Sequence, residues 1–574
     1  MRDGASDLLR DVADEYWDGT MARAPFVATM FGDHRFDDRV PDLSDDGLAE
    51  HRAFARAIAQ RAQEIDANGL SAGERVTRAL LLDACDTTVE EIDSHEIQLS
   101  SDGFTSYPVA LLRGASQRGA PDAESAEAQL RRLSDLPQVL DDVRAHWRAG
   151  LDRGWTPAST IVGRTAAMID GHLSAPVDED PFVATELPEG WAGADEWRRR
   201  AEAVVADAVR PAYQRVLDDL RELERLGRGD DAPGLGHVPG GEALYASLVR
   251  RATTTSLSPA EIHGIGMTEL TEKLPAEWAE IGGRAVGITD RAALFAHLRS
   301  DESMKYATEQ EIIETAGEAI RRALAVAPDW FERLPAAGVV VEPVPANLAP
   351  GTPPAYYAAP PADGSRPGVY FANTYEPTRR NRFEAEVFAF HEAVPGHHLE
   401  RASAVELDVP MFQRRGGYMA YSEGWGLYSE RLGDEMGIYS SDLMRLGMLS
   451  ADAWRSARLV LDTGLHAMGW TRSQAIEFMR THVPIADDEA AVEVDRYIGM
   501  PGQALSYKIG QRELFRLRDD ARRRLGDRFD IKGFHRAVLE HGGVTLGILG
   551  DLVDAWVDAQ AGTGTTSSAA TARP

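Results

Sequence analysis

The run Phe390-His-Glu-Ala-Val-Pro-Gly-His-His-Leu-Glu400 sets the strongest condition on how this chain folds. A helix entering at Phe390 cannot pass unaltered through Pro395, which lacks a backbone donor and whose ring collides with the preceding turn. Gly396 tolerates conformations that other residues avoid. His391, Glu392, His397 and His398 therefore sit on a distorted helix. On an unbroken one, His391 and His398 share a face but stand about 10 Å apart along the axis, too far to meet on one metal ion. A local bulge at Pro395-Gly396 brings one of the later imidazoles back towards His391. Imidazoles are common zinc ligands, and a carboxylate beside the first His is what a zinc hydrolase needs to take a proton from water. The blander reading is a polar helix end, which His and Pro-Gly also suit.

Composition narrows what else the chain can be. Its 574 residues carry 61 basic and 92 acidic side chains, a formal charge of -31, which argues against nucleic acid or an anionic membrane surface as the main partner. The lone cysteine, Cys85, rules out an internal disulfide or a cysteine-rich metal site, so any metal must be held by His and carboxylate. The acidic N-terminus has no signal-peptide pattern and no segment approaches the roughly 18 apolar residues of a membrane span, so the expected location is cytoplasmic.

Apolar positions recur at helical spacing over residues 6–30, 48–65, 75–97, 122–147 and 194–226, the last interrupted by Pro211. A Gly-, Pro- and Asp-rich stretch at 228–241 predicts a lobe boundary or exposed linker. Ser258-Pro259-Ala260-Glu261 has the form of a capping box and predicts a helix start near 259 that runs past Leu274. Between Gly338 and Asn373 short β-prone runs separated by Pro and Gly predict a small sheet whose last strand, 368–373, leads into the His391 helix. Helical spacing resumes over 418–432, 442–468, 470–483 and 502–525, and residues 561–574 read as a disordered low-complexity tail. The expectation is a mainly α protein, one helical domain over residues 1–560, with a small antiparallel sheet beside the motif helix.

A catalytic zinc site commonly uses three protein ligands. Glu423 and Glu430, seven residues apart on one predicted helix face, both qualify. Glu423 has the stronger case, since Gly424 and Gly426 suggest close approach to a neighbouring helix; Glu430 then suits a carboxylate that receives a ligating imidazole.

The stretches His391-Glu-Ala-Val-Pro-Gly-His-His-Leu, Glu423-Gly-Trp-Gly-Leu-Tyr and Arg496-Tyr-Ile-Gly-Met-Pro-Gly-Gln-Ala-Leu-Ser-Tyr-Lys-Ile-Gly510 resemble the bacterial family known as domain of unknown function 885. More distantly, the layout is similar to helical zinc peptidases such as carboxypeptidase Taq, thimet oligopeptidase and angiotensin-converting enzyme. This resemblance implies a two-lobed helical body around a deep cleft and one zinc ion on His391, His397 and Glu423, with His398 as the alternative to His397. It also implies Glu392 as general base and Tyr507 facing the site as a donor to an oxyanion. The two extra residues between the His pair depart from the peptidase pattern.

Further candidates come from the residues themselves. His466, one turn after Asp462, is a candidate for steadying an intermediate, and Asn373 for holding a peptide backbone. Arg496 and Tyr497 are candidates for receiving a substrate carboxylate. Lys508, one of four lysines in an arginine-biased chain, is a candidate substrate contact. The expected activity is hydrolysis of short peptides by carboxypeptidase or oligopeptidase action. The alternatives are a zinc amidase or esterase acting on a non-peptide metabolite, and a metal-free helical binding protein.

Overall fold

A computed structural model describes residues 4–115, 119–346, 348–349, 352–361, 364 and 366–562. It contains two compact units. The first comprises Met1–Tyr245, Gly464–Ala475 and Val492–Pro501, and the second Ala246–Thr463, Ile476–Ala491 and Gly502–Pro574. The expected tail lies, from residue 563 onward, outside the described residues; Ala561 and Gly562 end the last helix.

The first unit is helical. Its core gathers the apolar faces of Ala123–Asp152, Ser159–Ser174 and Arg210–Leu226, where Leu136, Val139, Ile169, Tyr213, Val216 and Leu220 are fully buried. Pro211 does not interrupt its helix. The turn just before it, Val205–Val209, widens to a π turn and carries the chain from Ala194–Val204 into Arg210–Leu226. Residues 228–241 form an irregular segment that ends shortly before this unit's boundary at Tyr245; within it Leu235 is buried and Gly234 lies against the Leu465 carbonyl.

In the second unit the capping box forms at the start of the helix that begins at Pro259. Ser258 Oγ accepts from the Glu261 N–H and the Glu261 carboxylate accepts from the Ser258 N–H. The helix then passes through a π turn at Glu269–Lys273 and ends at Val286. Among the described residues the strands are β1 (Val339–Pro343), β2 (Ala355–Ala358) and β3 (Gly368–Ala372), in the order β1-β3-β2. β2 pairs antiparallel with β3, but β1 pairs parallel with it, so the sheet is mixed and not antiparallel as expected. β3 inserts between the two earlier strands, so β1 has β3, running in the same direction, as its neighbour instead of β2.

The helix Met419–Glu435 runs through the middle of this unit, with Tyr421, Trp425, Tyr428 and Leu432 fully buried. It packs against Ser506–Leu525 at a crossing where two glycines meet. A Cβ on Gly510 would stand 1.8 Å from the Ala420 carbonyl oxygen and one on Gly424 2.5 Å from Gly510 Cα. Only hydrogen side chains allow this approach.

Candidate metal centre

The helix Ala385–Glu392 is fixed at its start by buried Glu386, which accepts from Arg322 at 2.5 Å and from the Ser440 N–H at 2.9 Å. It ends at Glu392, because Ala393 leaves helical geometry (φ -105, ψ -105). The Val394–Pro395 peptide is cis, and a new helix starts at His397 and runs to Val405. The motif is thus two helices joined by a sharp turn, a fuller break than a bulge. Gly396 folds back so closely that a Cβ there would lie 1.8 Å from the His391 carbonyl oxygen. The indole N–H of Trp425 lies within hydrogen-bonding distance of the carbonyls of both Pro395 and Gly396, so the Glu423 helix holds the turn in place.

This turn brings His397 to His391. Their rings meet edge to face with centroids 4.9 Å apart. Glu423 Oε2 lies 3.5 Å from Nε2 of each. Among the described residues this is the one place where ligand atoms of three His, Cys, Asp or Glu side chains lie within 4.8 Å of one another. The second nitrogen of each imidazole faces a carboxylate: His391 Nδ1 is 2.8 Å from Glu430 Oε1, and His397 Nδ1 is 3.1 Å from Glu400 Oε2. Glu400 also accepts from Ser422 Oγ at 2.8 Å. Carboxylates so placed fix the ring orientation and leave both Nε2 atoms facing Glu423, as metal-binding imidazoles require. Gly426 clears the space for His391, since a Cβ there would lie 2.6 Å from the ring. The imidazoles are almost fully buried, while the Glu423 side chain keeps 18% of its exposure, so the cluster opens on that side.

The electrostatics fit a cation. Burial opposes the charged forms, yet Glu423 and Glu430 hold His391 above its ordinary pKa, and Glu400 and Glu423 push His397 up to about 10. Burial likewise opposes ionisation of Glu423, but the two imidazoles hold its pKa well below the usual carboxylate range. Paired carboxylates around two imidazoles form a pocket that protons or a divalent ion stabilise.

His398 turns away. Its Nδ1 meets the hydroxyl of Tyr357, on β2, at 2.8 Å, and burial lowers its pKa to about 4. Glu392 is half-buried beside the cluster, and among the described residues no hydrogen bond or ion pair holds its carboxylate. The Tyr507 ring lies nearly parallel to that of His391 with centroids 6.4 Å apart and is covered by Arg458 at 4.6 Å.

The other candidates have structural partners. Lys508 is buried against Asp452, with Glu269 at 3.8 Å and Arg431 on the same Asp452. Asn373 donates its amide N–H groups to the carbonyls of Ala349 and Thr352, so its side chain is committed to backbone. His466, Arg496 and Tyr497 belong to the first unit. His466 accepts from the Leu235 N–H through Nδ1 and donates to the Tyr497 carbonyl through Nε2, so both ring nitrogens are occupied by backbone. Arg496 lies 3.7 Å from Glu493, to which the Tyr497 hydroxyl donates. Sequence reasoning missed Glu400 and Ser422; the signal for Glu400 was its place three residues after His397, on the same helix face.

Two solved structures share the fold. The putative lipoprotein from Colwellia psychrerythraea is 24% identical with a TM-score of 0.88, and the match covers 97% of this chain and 99% of that one. A putative lipoprotein of unknown function from Shewanella oneidensis is 18% identical with a TM-score of 0.75, covering 95% and 99%. Among the described residues no helix is long and apolar enough to cross a membrane. No curated protein matches. The model of the family described as bacterial protein of unknown function (DUF885) matches residues 25–553, and the chain belongs to that family.

Proposed function

We propose that this protein is a metal-dependent hydrolase that cleaves amide bonds in short peptides. The observation that carries the reading is the convergence of His391, His397 and Glu423, with each imidazole backed by its own carboxylate. Three nitrogen and oxygen donors of this kind suit one zinc ion, and the open side at Glu423 is the property that separates a catalytic from a closed structural site. When bound, the ion supplies Lewis acidity towards a carbonyl oxygen and lowers the pKa of a neighbouring water.

The chain's own groups do the rest. Glu392 follows His391 directly and has an uncommitted carboxylate, which suits it to take a proton from the attacking water and return it to the leaving amine. Tyr507 stacks on His391 and its hydroxyl has no acceptor among the described residues, so it is available to donate to the developing oxyanion. Glu430 and Glu400 keep the imidazoles in the tautomer that offers Nε2 to the ion. His398, bound to Tyr357, acts as a brace between the sheet and the motif.

The test is hydrolysis of a mixed short-peptide library by zinc-loaded protein and by its Glu392→Gln variant. Cleavage by the wild type that drops by about 100-fold or more in the variant supports the reading. Equal cleavage by both removes Glu392 from its role.

A further inference from the structure

The cluster is ringed by negative charge. Glu392, Glu400, Glu423 and Glu430 all stand at or beside it, in a chain whose formal charge is already -31. An anionic substrate reaches such a site only if a local cation receives it. Most basic groups on the surrounding helices are committed: Lys508 is buried with Asp452, Arg431 lies between Asp452 and Glu277, and Arg455 is buried 3.7 Å from Glu430.

Arg401 differs. It follows His397 by four residues in the helix His397–Val405, so the two side chains share a face one turn apart. Its Nη2 donates to Ser422 Oγ at 3.3 Å, which puts the guanidinium beside the residue that precedes Glu423. Among the described residues its one carboxylate contact is long, 3.9 Å from Nε to Glu400 Oε2, and Glu400 is already engaged by His397 and Ser422. The side chain is 47% exposed, so the fork of donors remains open to a ligand. Burial works against its charge, yet Glu400, Glu423 and Glu392 together raise its pKa, which shows the guanidinium within electrostatic reach of one ligand and of the candidate base.

We propose that Arg401 is the carboxylate anchor of this site and that the substrate is a short peptide bound through its free C-terminal carboxylate. The inference rests on the hydrolase reading for the bond cleaved, but not for the binding contact. A planar guanidinium pairs with a carboxylate through two parallel hydrogen bonds, and an amidated terminus offers neither the charge nor the second acceptor. The anchor makes the enzyme a carboxypeptidase rather than an enzyme that cuts internal bonds.

The experiment is calorimetric titration of zinc-loaded Glu392→Gln protein with N-acetyl-dialanine and with its C-terminal amide, repeated after adding Arg401→Gln or Arg401→Lys. The free acid is expected to bind about tenfold or more tightly than the amide, the preference to vanish with Arg401→Gln, and part of it to survive with Arg401→Lys. Equal affinity for acid and amide, binding of neither at millimolar concentration, or a preference that persists in Arg401→Gln overturns the proposal. Hydrolysis by protein retaining Glu392 separates the two claims. An acid preference without hydrolysis leaves the anchor standing and removes the hydrolase; hydrolysis without the preference does the reverse.

Discussion

Replacing Gly426 by alanine drives a methyl group into the ring of His391. The added Cβ would lie 2.6 Å from Cε1, 2.8 Å from Nε2 and 3.0 Å from Nδ1. Unbonded carbon and nitrogen atoms settle at about 3.5 Å or more, so the ring must retreat by roughly 1 Å. It is tied on its far nitrogen to Glu430 at 2.8 Å, and the movement therefore tilts Nε2 away from Glu423. Metal sites tolerate ligand errors of only about 0.2 Å, so zinc affinity is expected to fall at least tenfold. Overpacking of this size costs about 1–3 kcal/mol of stability, which leaves the protein folded. Gly317 is the control: it lies within the helix Glu309–Val326, and nothing stands within 4 Å of its added Cβ. Gly317→Ala should stabilise by about 0.5–1 kcal/mol and leave zinc binding unchanged. Zinc competition against a fluorescent chelator, with thermal melts of the metal-free proteins, reads both quantities. Wild-type affinity in a folded Gly426→Ala protein would refute the argument that this glycine exists to seat His391.

Other expectations follow from the same geometry. Gly510→Ala places a Cβ 1.8 Å from a backbone oxygen that cannot step aside, so it should destabilise by about 3 kcal/mol or more in chemical denaturation, beyond ordinary overpacking. Lys508→Met leaves Asp452 buried against Arg431 without its lysine and should cost about 3–5 kcal/mol; a cost under about 1 kcal/mol would argue that the lysine serves substrate instead. Burial lowers the pKa values of His398 and His466 to about 4 and of His535 to about 3, below the ordinary 6.5. The unfolded chain then binds more protons at these three sites below pH 6.5, so the stability they contribute is complete above that pH and is lost as pH falls towards 4 and 3, by up to about 1.4 kcal/mol per pH unit per histidine. Denaturation midpoints that stay level from pH 7 to 4 would contradict this.

Much of the helical fold is legible in the spacing of apolar residues, and the capping box at Ser258 and Glu261 forms as its pattern requires. The unforeseen features depend on partners distant in sequence. Pro211 looks like a helix break, yet the π turn ahead of it keeps the helix whole, and its surroundings are set by tertiary packing. The three strands are readable as β-prone runs, but no local signal says that β3 inserts between β1 and β2. At the site, His391, His397 and Glu423 stand together as the motif and its glycines suggest, because Pro395-Gly396 breaks the helix and Gly424 and Gly426 permit the approach. Which later histidine turns inward is decided by Tyr357 reaching across from β2 to claim His398, a contact 41 residues away that spacing alone does not reveal. His466 gains its partners the same way, from Leu235 and Tyr497, and so is a braced core residue of the first unit.

The most direct test of the account is the zinc content of the purified protein after dialysis against trace metal, compared with His391→Ala, His397→Ala, Glu423→Ala and His398→Ala variants shown to be folded. The account predicts one equivalent in the wild type and in His398→Ala, and loss of at least nine-tenths of it in each of the other three. Less than about a tenth of an equivalent in the wild type, or loss of zinc in His398→Ala with retention in His397→Ala, contradicts it.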